Sequence, residues 1–410
     1  MASWTLARAE EHLLGLELFG MRFGLERMHR LTTTLGMPQR RFASIHVVGS
    51  NGKSSTVRFI AAVLERHGLR TGSYTSPHLA SFRERIEVGE EPVSGERFAA
   101  AVERAAKAAE IVERAQADDD DAVTQFEALT AAAYHELAAR KVEVAVVEAG
   151  LGGRYDATNV IPSKVAVLTG VGLEHTRWLG PTIADIAEEK LAVVRDHSTL
   201  VTGPLDPAAH AVAERVARER HARWVEVGPV EGFQNQNFAV ACAAAEAFLG
   251  RALDPGAVAD AVAQTRIPGR LDPVAERPLV LHDGAHNPAG AQALAQALPG
   301  VLGDRRPRVL VASVLEDKDA AAMLEALLPH FDDVVFTRCA NPRALSPATL
   351  ESHATRGLAP RCVRTVPDPR AAVAHATELA GPDGAVVVTG SIYLIADLVR
   401  PDAASRASTM

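Results

Sequence analysis

Seven residues, Gly49-Ser50-Asn51-Gly52-Lys53-Ser54-Ser55, decide the fold of the first half of this chain. They follow the short apolar run Ser44–Val48, which predicts a buried strand. They open Ser54–His67, where apolar side chains recur at helical spacing before Gly68. A loop in this position turns backbone N–H groups and the positive end of a helix toward phosphate oxygens. The stretch therefore predicts a phosphate-binding loop in an α/β fold.

The composition of this loop favours ATP as its ligand. Lys53 offers a charge to the β- and γ-phosphates, and a serine hydroxyl beyond it can meet Mg²⁺. The general pattern also wants a glycine five residues before Gly52, where Val47 stands. The loop is therefore the shorter G-x-x-G-K-[ST] form, which a subset of ATP-using proteins has. A glycine turn with a chance lysine is the alternative, and the strand–loop–helix order disfavours it.

Strand and helix signals alternate on the C-terminal side of the loop. Strands are predicted at Thr71–Thr75, Val142–Glu148 and Val165–Thr169, and an alanine-rich helix at Phe126–Arg140. This alternation predicts a mostly parallel sheet with helices on both faces. The acidic run Asp118–Asp121 is interpreted as a solvated loop.

A second α/β domain is predicted after a proline- and glycine-rich segment, Arg266–Pro278, which we interpret as a linker. The predicted domains are residues 1–270 and 271–410. The strands predicted beyond the linker are Leu279–Asp283, Arg308–Ala312, Val334–Thr337 and Ala385–Thr389, and two of the helices between them are Ala289–Leu298 and Ala320–Leu328.

Bulk properties exclude several classes of protein. The 410 residues exceed what one core usually holds, and 47% hydrophobic with 23% charged residues is typical of a globular protein. The net charge of -8 argues against a nucleic-acid partner. Neither a signal peptide nor a membrane span is evident, and the three cysteines lack metal or redox spacing. A cytoplasmic protein without a membrane partner is expected.

Two further candidates follow predicted strands. Glu148 ends a buried strand and precedes a glycine run, where a carboxylate can hold Mg²⁺; a solvent-exposed acid is the alternative. His175 lies beyond the next strand. A lone histidine is more often structural, but three phosphate-site candidates at one sheet edge favour a metal role. Lys190, taken by itself, is expected to be a surface lysine.

These motifs, with others in the same order, resemble those of the folylpolyglutamate synthases, with or without dihydrofolate synthase activity, in the Mur ligase superfamily. Each motif is weak alone, and their order and spacing are specific. The shared motifs are Gly49–Ser55, Ser76-Pro77-His78-Leu79, Phe82, Glu84-Arg85-Ile86, Glu148–Gly153, Asp156-Ala157-Thr158-Asn159, His175-Thr176, Trp178-Leu179-Gly180, Glu189-Lys190, Gln236-Asn237, Pro268-Gly269-Arg270, Asp283–Pro288, Asp317-Lys318-Asp319 and Gly390-Ser391-Ile392-Tyr393.

The resemblance implies roles for single residues. Ser76 and Glu148 match ligands of a magnesium ion between the β- and γ-phosphates, and His175 matches a ligand of a second one. Lys190 matches a lysine that is carbamylated in the family. The other implied positions are ATP contacts at Asn237, Arg270 and Asp283, glutamate contacts at His286 and Ser391, catalytic roles for Lys53, Lys190 and His286, and a pterin contact at Phe126. For Phe126 a core aromatic remains an equal alternative.

The implied fold is a P-loop, Mur-ligase-like α/β domain with a mostly parallel sheet, joined to a smaller Rossmann-like C-terminal α/β domain. The implied activity is ATP-dependent addition of L-glutamate to tetrahydrofolate, to dihydropteroate or to both, through an acyl phosphate, by a monomer with two Mg²⁺. Two residues depart from the family pattern. Ser54 stands where glycine is usual, and Glu174 where aspartate is usual.

Three alternatives remain beside this prediction. One is a superfamily ligase acting on a different carboxylate, such as a cell-wall nucleotide precursor; such enzymes carry an N-terminal domain, for which a loop at Gly49 leaves little chain. The others are a catalytically inactive nucleotide-binding paralogue and a P-loop kinase. The retained charged residues argue against the paralogue, and Asp283–Pro288 is not explained by a kinase.

Overall fold

The computed structural model describes residues 3–16, 24–115, 122–354 and 362–400, so the acidic run at 118–121 lies outside the described residues. The chain forms two compact units. The first contains the described residues of Met1–Pro77 and Phe82–Thr265, and the second contains His78–Ser81 and the described residues from Arg266 onward. Each unit is built on one sheet, as the alternating strand and helix signals predict.

The first unit is built on an eight-stranded sheet with the order β4-β3-β2-β5-β1-β6-β7-β8. The neighbours from β2 to β8 pair in parallel, whereas β3 and β4 are antiparallel at one edge. The strands are β1 (Ala43–Val48), β2 (Thr71–Tyr74), β3 (Ile86–Val88), β4 (Glu91–Pro92), β5 (Val144–Glu148), β6 (Val165–Leu168), β7 (Thr199–Thr202) and β8 (Arg223–Glu226).

Helices cover this sheet because its central strands are apolar on both faces. Every residue of β5 and β6 is buried, which is the pattern of strands covered on both sides. The helices of this unit are α1 (Leu6–Gly15), α2 (Glu26–Thr34), α3 (Lys53–Arg66), α4 (Gly95–Arg114), α5 (Gln125–Ala139), α6 (Thr176–Leu179), α7 (Ile183–Leu191), α8 (Pro207–Glu219), α9 (Phe233–Leu249) and α10 (Pro255–Gln264).

The second unit has a six-stranded sheet with the order β13-β12-β11-β14-β10-β9. Alternate residues of β11 face opposite cores, since Leu310 packs in one hydrophobic cluster and Val309 in the other. Its elements are β9 (Asp272–Glu276), β10 (Leu279–His282), α11 (Pro288–Leu302), β11 (Arg308–Ala312), α12 (Ala320–Leu327), β12 (Asp333–Phe336), α13 (Pro347–Ala354), β13 (Cys362–Thr365), α14 (Pro369–Ala380), β14 (Ala385–Thr389) and α15 (Ile392–Val399).

The interpretation of Arg266–Pro278 as a linker was wrong for its central residues. Asp272–Glu276 forms the edge strand β9, which pairs antiparallel with β10. Pro273 is tolerated there because an edge strand has one side without ladder hydrogen bonds, and the register shifts beside its partner residue Leu281. The proline signal that suggested a linker therefore marks a sheet edge.

No helix within residues 3–16, 24–115, 122–354 and 362–400 combines the length and apolar character that a membrane crossing requires. The three cysteines, Cys242, Cys339 and Cys362, are free thiols.

A buried ion pair joins α2 to the start of α5. Arg27 Nε lies 3.1 Å from both carboxylate oxygens of Glu127, and both side chains are less than a tenth exposed. Glu127 also accepts from the backbone N–H and hydroxyl of Thr124, which caps α5. The pair therefore fixes the N-terminal turn of α5.

We expect Arg27→Ala to lower the free energy of unfolding by about 3–5 kcal/mol, because it leaves a buried carboxylate without its cation. Urea unfolding followed by circular dichroism measures this loss. The matched control is Arg30→Ala on the same helix, whose exposed pair with Glu26 should contribute only about 0.3–0.5 kcal/mol. Equal losses of unfolding free energy in the two variants would contradict a stabilising role of the buried Arg27–Glu127 pair.

Candidate active site

Four neighbouring parallel strands bring the predicted site residues of the first unit to one sheet edge. The order β2-β5-β1-β6 places side by side the segments that follow each strand. Ser76 comes after β2, Glu148 ends β5, the loop from Gly49 follows β1, and His175 comes after β6. The carboxyl ends of parallel strands are where open α/β sheets bind ligands.

The phosphate loop requires glycine at two positions. Gly52 has φ +82° and precedes the first turn of α3, and a Cβ on it would overlap the Asn237 amide oxygen. Gly49 has φ +152°, and a Cβ on it would overlap the Thr169 hydroxyl. Both conformations are ones that L side chains rarely adopt. The loop is therefore enclosed by β6 on one side and α9 on the other.

Lys53 is folded over the loop. Its Nζ donates to the carbonyl oxygens of Gly49 and Ser50, at 3.0 and 3.3 Å. The ammonium thus lies against the backbone of the loop, where a phosphate would meet both a full charge and N–H dipoles.

Thr169 and Gly172 hold the loop from the side of β6, a role that the sequence analysis missed. The Thr169 hydroxyl donates to the carbonyl of Asn51 at 2.6 Å, and Ser50 exchanges hydrogen bonds with the backbone of Gly172. A hydroxyl at the end of a predicted strand was the signal that could have identified Thr169.

Glu148 is buried at the edge, where donors from α3 and from the segment after β2 contact its carboxylate. Its Oε1 accepts from Ser54 Oγ at 3.0 Å, and its Oε2 accepts from the backbone N–H of Ser76 at 3.1 Å. Ser54, which stands where the family usually has glycine, thus contacts the carboxylate that is predicted to hold a magnesium ion. Ser76 and Glu148, the predicted ligands of one magnesium ion, thus lie side by side. The solvent-exposed alternative for Glu148 was wrong, because Glu148 is 2% exposed.

Oxygen donors suit Mg²⁺, which keeps several waters and takes few protein ligands. Within the described part of the chain, no three His, Cys, Asp or Glu side chains converge closely enough to hold a metal ion alone. The carboxylate and hydroxyl oxygens of Glu148 and Ser76 therefore fit an ion completed by phosphate and water. Their role as ligands stays a prediction.

Lys190 is buried, so the expectation of a surface lysine was wrong. Only 2% of its side chain is exposed; its Nζ donates to the carbonyl of Gly49 at 2.9 Å and lies 3.3 Å from Glu174 Oε1. Burial, helped by the charge of Lys53, lowers the pKa of Lys190 to about 8 against the opposing effect of Glu174. The amine is therefore neutral in a larger fraction of molecules than for an ordinary lysine.

Glu174 lies among cations. The charges of Lys53, Lys190 and His175 lower the pKa of its carboxyl group, overcoming burial, which acts in the opposite direction. His175 itself has φ +48° at the start of α6 and is exposed. A positive φ is uncommon for residues other than glycine and occurs at turns and functional sites. Its metal role stays a prediction.

Phe126 lies in the first turn of α5, partly buried against the core. Its ring is 6.1 Å from that of Tyr74, and a Cβ on Gly150 would come within 2.6 Å of Phe126 Cζ. The glycine run after Glu148 therefore lets an aromatic ring approach the backbone closely. Stacking on a flat substrate ring and a core role both stay open for this residue.

The remaining predicted residues divide between the units. Asn237 lies on α9 beside Gly52, as an ATP contact would require, and its amide donates to Gln234 at 3.1 Å. In the second unit, Asp283 follows β10 and accepts from the N–H groups of Leu271 and Ala285, both at 2.9 Å. Burial raises the pKa of Asp283, opposed by the charge of Arg270.

Two predicted glutamate contacts lie at the carboxyl edge of the second sheet. His286 Nδ1 is 3.0 Å from the carbonyl oxygen of Gly284. Ser391 follows β14, the neighbour of β10, and its side chain accepts from Tyr393 N–H to cap α15. Both residues thus occupy the ligand-binding edge of an α/β sheet, and their contact with glutamate stays a prediction.

Comparison with known families agrees with this geometry. Residues 47–240 match the Mur ligase middle domain, and residues 269–392 match the Mur ligase glutamate ligase domain. The fold and the phosphate site thus define a Mur-type ligase.

Curated relatives narrow this class. The dihydrofolate synthase/folylpolyglutamate synthase of Mycobacterium tuberculosis is 38% identical over 93% of this chain and 91% of its own. The folylpolyglutamate synthase of Lacticaseibacillus casei is 34% identical, over 90% and 92%. The chain belongs to the folylpolyglutamate synthase/dihydrofolate synthase family. The resemblance drawn from the motifs is therefore confirmed.

Solved structures confirm the fold. The M. tuberculosis folylpolyglutamate synthase complexed with ADP and AMPPCP has a TM-score of 0.88 and 35% identity, covering 96% of this chain and 98% of that one. E. coli FolC in complex with DHPP and ADP has a TM-score of 0.85 and 28% identity, covering 96% and 97%.

We expect Gly52→Ala to weaken ADP binding at least tenfold, because the new methyl group overlaps Asn237 inside the loop. Isothermal titration calorimetry measures the affinity. Gly68→Ala is the matched control, since Gly68 has φ +87° but open space around its Cβ position. The control should lose a little stability and keep its affinity for ADP. An unchanged affinity in Gly52→Ala would contradict the close approach to Asn237.

Proposed function

We propose that this chain uses ATP to join L-glutamate to the carboxylate of a folate-type substrate, through an acyl-phosphate intermediate. The observation that carries the proposal is the convergence of the phosphate loop, Glu148 and Lys190 on one sheet edge. It is supported by the relationship to folylpolyglutamate and dihydrofolate synthases over nearly the whole chain. The M. tuberculosis and E. coli relatives bind adenine nucleotides, and the latter also binds DHPP.

The first step activates the substrate. A carboxylate oxygen attacks the γ-phosphorus of ATP while the bond to the β–γ bridging oxygen breaks, giving an acyl phosphate and ADP. Negative charge spreads over the transferring phosphoryl group. Lys53, held inside the loop by the carbonyls of Gly49 and Ser50, supplies a fixed positive charge where that charge develops. Backbone N–H groups at the start of α3 orient the phosphates.

The second step forms the amide bond. The glutamate amine attacks the acyl carbon, and the bond from that carbon to the phosphate oxygen breaks to release inorganic phosphate. One proton leaves the amine, and we assign its acceptor as His286, which also helps to position glutamate. Ser391 contacts the incoming amino acid, and Asn237, Arg270 and Asp283 contact the nucleotide.

Two magnesium ions belong to the proposal. Ser76 and Glu148 would hold one, since carboxylate and hydroxyl oxygens suit this ion. His175 would be a ligand of the other, a role that rests on the family resemblance alone. Bound Mg²⁺ neutralises charge on the phosphate oxygens. The protein's own contribution is to hold the Glu148 carboxylate in place through Ser54 and the backbone N–H of Ser76.

Lys190 is proposed to act as a carbamate. Its neutral amine would add to CO₂, forming an N–C bond and releasing a proton to water, which turns a cation into an anion able to support a metal. The lowered pKa of Lys190 favours the reacting amine. Its short distance to Glu174 shows how the unmodified ammonium is neutralised.

The substrate itself is the finer part of the proposal. The relatives carry folylpolyglutamate synthase, dihydrofolate synthase or both activities in their names, so this chain extends reduced folates, converts dihydropteroate, or does both. Phe126, beside Gly150, is the aromatic side chain that we assign to the pterin ring.

The test is an incubation of purified protein with ATP, Mg²⁺ and glutamate, with dihydropteroate or tetrahydrofolate in separate reactions. Mass spectrometry detects the glutamylated product. Product from both substrates identifies a bifunctional enzyme, and product from one restricts the activity to that substrate. Intact ADP binding without product from either would overturn the folate assignment and favour a Mur-type ligase with a different carboxylate.

We expect Lys53→Ala to abolish turnover, because the loop loses its one fixed side-chain charge. Phosphate release in the assay above measures this. Lys107→Ala is the control, since Lys107 pairs with Glu103 on the surface of α4, and it should turn over like the parent. Normal turnover by Lys53→Ala would refute the phosphate-loop mechanism.

We expect Lys190→Ala to lower turnover strongly and short carboxylates such as formate or acetate to restore part of it. A small anion can occupy the space of the missing carbamate. Carbon-13 NMR with labelled bicarbonate provides a direct readout, with a carbamate signal in the parent that Lys190→Ala lacks. Parent-like ligation by the variant would show that the carbamate assignment is wrong.

A further inference from the structure

A chain of polar side chains crosses the core of the first unit behind the active site. His46, in the central strand β1, is fully buried, and its Nε2 lies 2.8 Å from Thr158 Oγ1. The Thr158 hydroxyl donates to Asp156 Oδ1, and its backbone N–H donates to the same oxygen at 3.0 Å. Asp156 and Thr158 are buried as well, so this series of hydrogen bonds runs through a water-poor interior.

The direction of these hydrogen bonds fixes the proton on His46. Because the Thr158 hydroxyl gives its hydrogen to Asp156, its oxygen accepts from His46, so the imidazole carries its proton on Nε2. Burial, helped by the charge of Arg195, lowers the pKa of His46 to about 3, which keeps the ring neutral. The neutral ring therefore donates one hydrogen bond, and that bond goes to Thr158.

Placing a histidine at this core position destabilises the fold, because one of its ring nitrogens is buried without a hydrogen bond to the described part of the chain. Its Nδ1 has no hydrogen-bond partner among the described residues. A buried acceptor without a partner costs free energy that an apolar side chain of the same size would not incur. Packing alone therefore does not account for His46, whereas its donation to Thr158 does.

At its other end, the series of hydrogen-bonded side chains reaches the glycine turn that follows Glu148. Asp156 Oδ2 accepts from the backbone N–H of Leu151 at 2.8 Å, and Gly150 also donates to this carboxylate. Gly150 is the glycine against which the Phe126 ring lies. The turn thus connects the predicted metal carboxylate with the aromatic ring assigned to the substrate, and Asp156 holds its backbone.

We propose that His46, Thr158 and Asp156 act as positioning residues: their hydrogen bonds orient the Asp156 carboxylate, which fixes the turn Gly150–Gly153 under Phe126 for binding of the folate-type substrate. The substrate part of this inference rests on the proposed function.

Two side chains, those of Tyr134 and Arg195, hold the backbone around the hydrogen-bonded relay of His46, Thr158 and Asp156. The Tyr134 hydroxyl donates to the carbonyl of Thr158 at 2.9 Å, and Arg195 donates to the carbonyls of Asn159 and Ile161. The backbone of this segment is therefore fixed independently of His46. Removing a relay hydrogen bond should reorient Asp156 while the segment stays in place.

Thr158→Val tests the relay, because it removes the hydroxyl and keeps the branched shape. Thr158→Ser keeps the hydroxyl. Ser44→Ala is the matched control: Ser44 lies two residues before His46 on the same face of β1, is equally buried, and its hydroxyl has no partner among the described residues. His46→Leu and His46→Gln form a second pair of variants. Leucine removes the donor to Thr158, whereas the side-chain amide of glutamine can donate in place of the imidazole Nε2–H.

Amide hydrogen exchange at Leu151, measured without substrate, is the first readout. Exchange should accelerate roughly tenfold in Thr158→Val and His46→Leu, and stay near the parent rate in Thr158→Ser, His46→Gln and Ser44→Ala. The KM for the folate-type substrate should rise roughly tenfold in the first two variants, because small displacements of positioning groups are costly. The KM for ATP should stay within about twofold.

Two outcomes would overturn the proposal. Parent-like Leu151 exchange and KM in Thr158→Val would overturn the relay, and so would equal effects of Thr158→Val and Ser44→Ala, which would indicate core packing alone. If His46→Leu does not fold, the Thr158 pair supplies the same test. If the parent glutamylates no folate, the proposed function fails, and Leu151 exchange alone then supports or overturns the relay.

Discussion

Parallel pairing of β1 with β5 and β6 is the constraint on which the site of the first unit depends. The register places Val47 opposite Glu148 and Val48 opposite Leu168. The phosphate loop, the Glu148 carboxylate and Thr169 consequently end in one layer at the sheet edge. A shift of β5 by one residue against β1 would turn Glu148 to the other face of the sheet, and a shift of β6 by one residue against β1 would remove Thr169 from the loop.

A cluster of charged side chains at the phosphate loop is the second organising feature. Lys53, Lys190 and Glu174 lie together beside the loop, and Lys190 reaches the carbonyl of Gly49 from α7. Charges close together in a partly buried site interact strongly: Lys53 and Lys190 lower the pKa of Glu174, and Lys53 helps burial to lower the pKa of Lys190. A site of this kind is prepared for a polyanion, and it gives one lysine a reactivity that an exposed amine lacks.

Much of this arrangement was accessible from the sequence. The strand–loop–helix order around Gly52 and the apolar run ending at Glu148 predicted these elements and their position at one edge of the sheet. They could do so because the spacing of apolar residues and the residue types in turns are local properties of the sequence. Local signals failed where a residue's role depends on distant neighbours. Pro273 marked a sheet edge and not a linker, and Lys190 proved to be buried because α7 packs against the sheet.

The sequence by itself determined the fold class, the phosphate loop and the family, because these depend on patterns that lie close together in the chain or recur in fixed order. Only the tertiary structure decided that Ser54 contacts Glu148, that Lys190 pairs with Glu174, and that His46 connects to Asp156 through Thr158. These contacts join residues far apart in the chain. Their distances and burial arise only when the strands have taken their register.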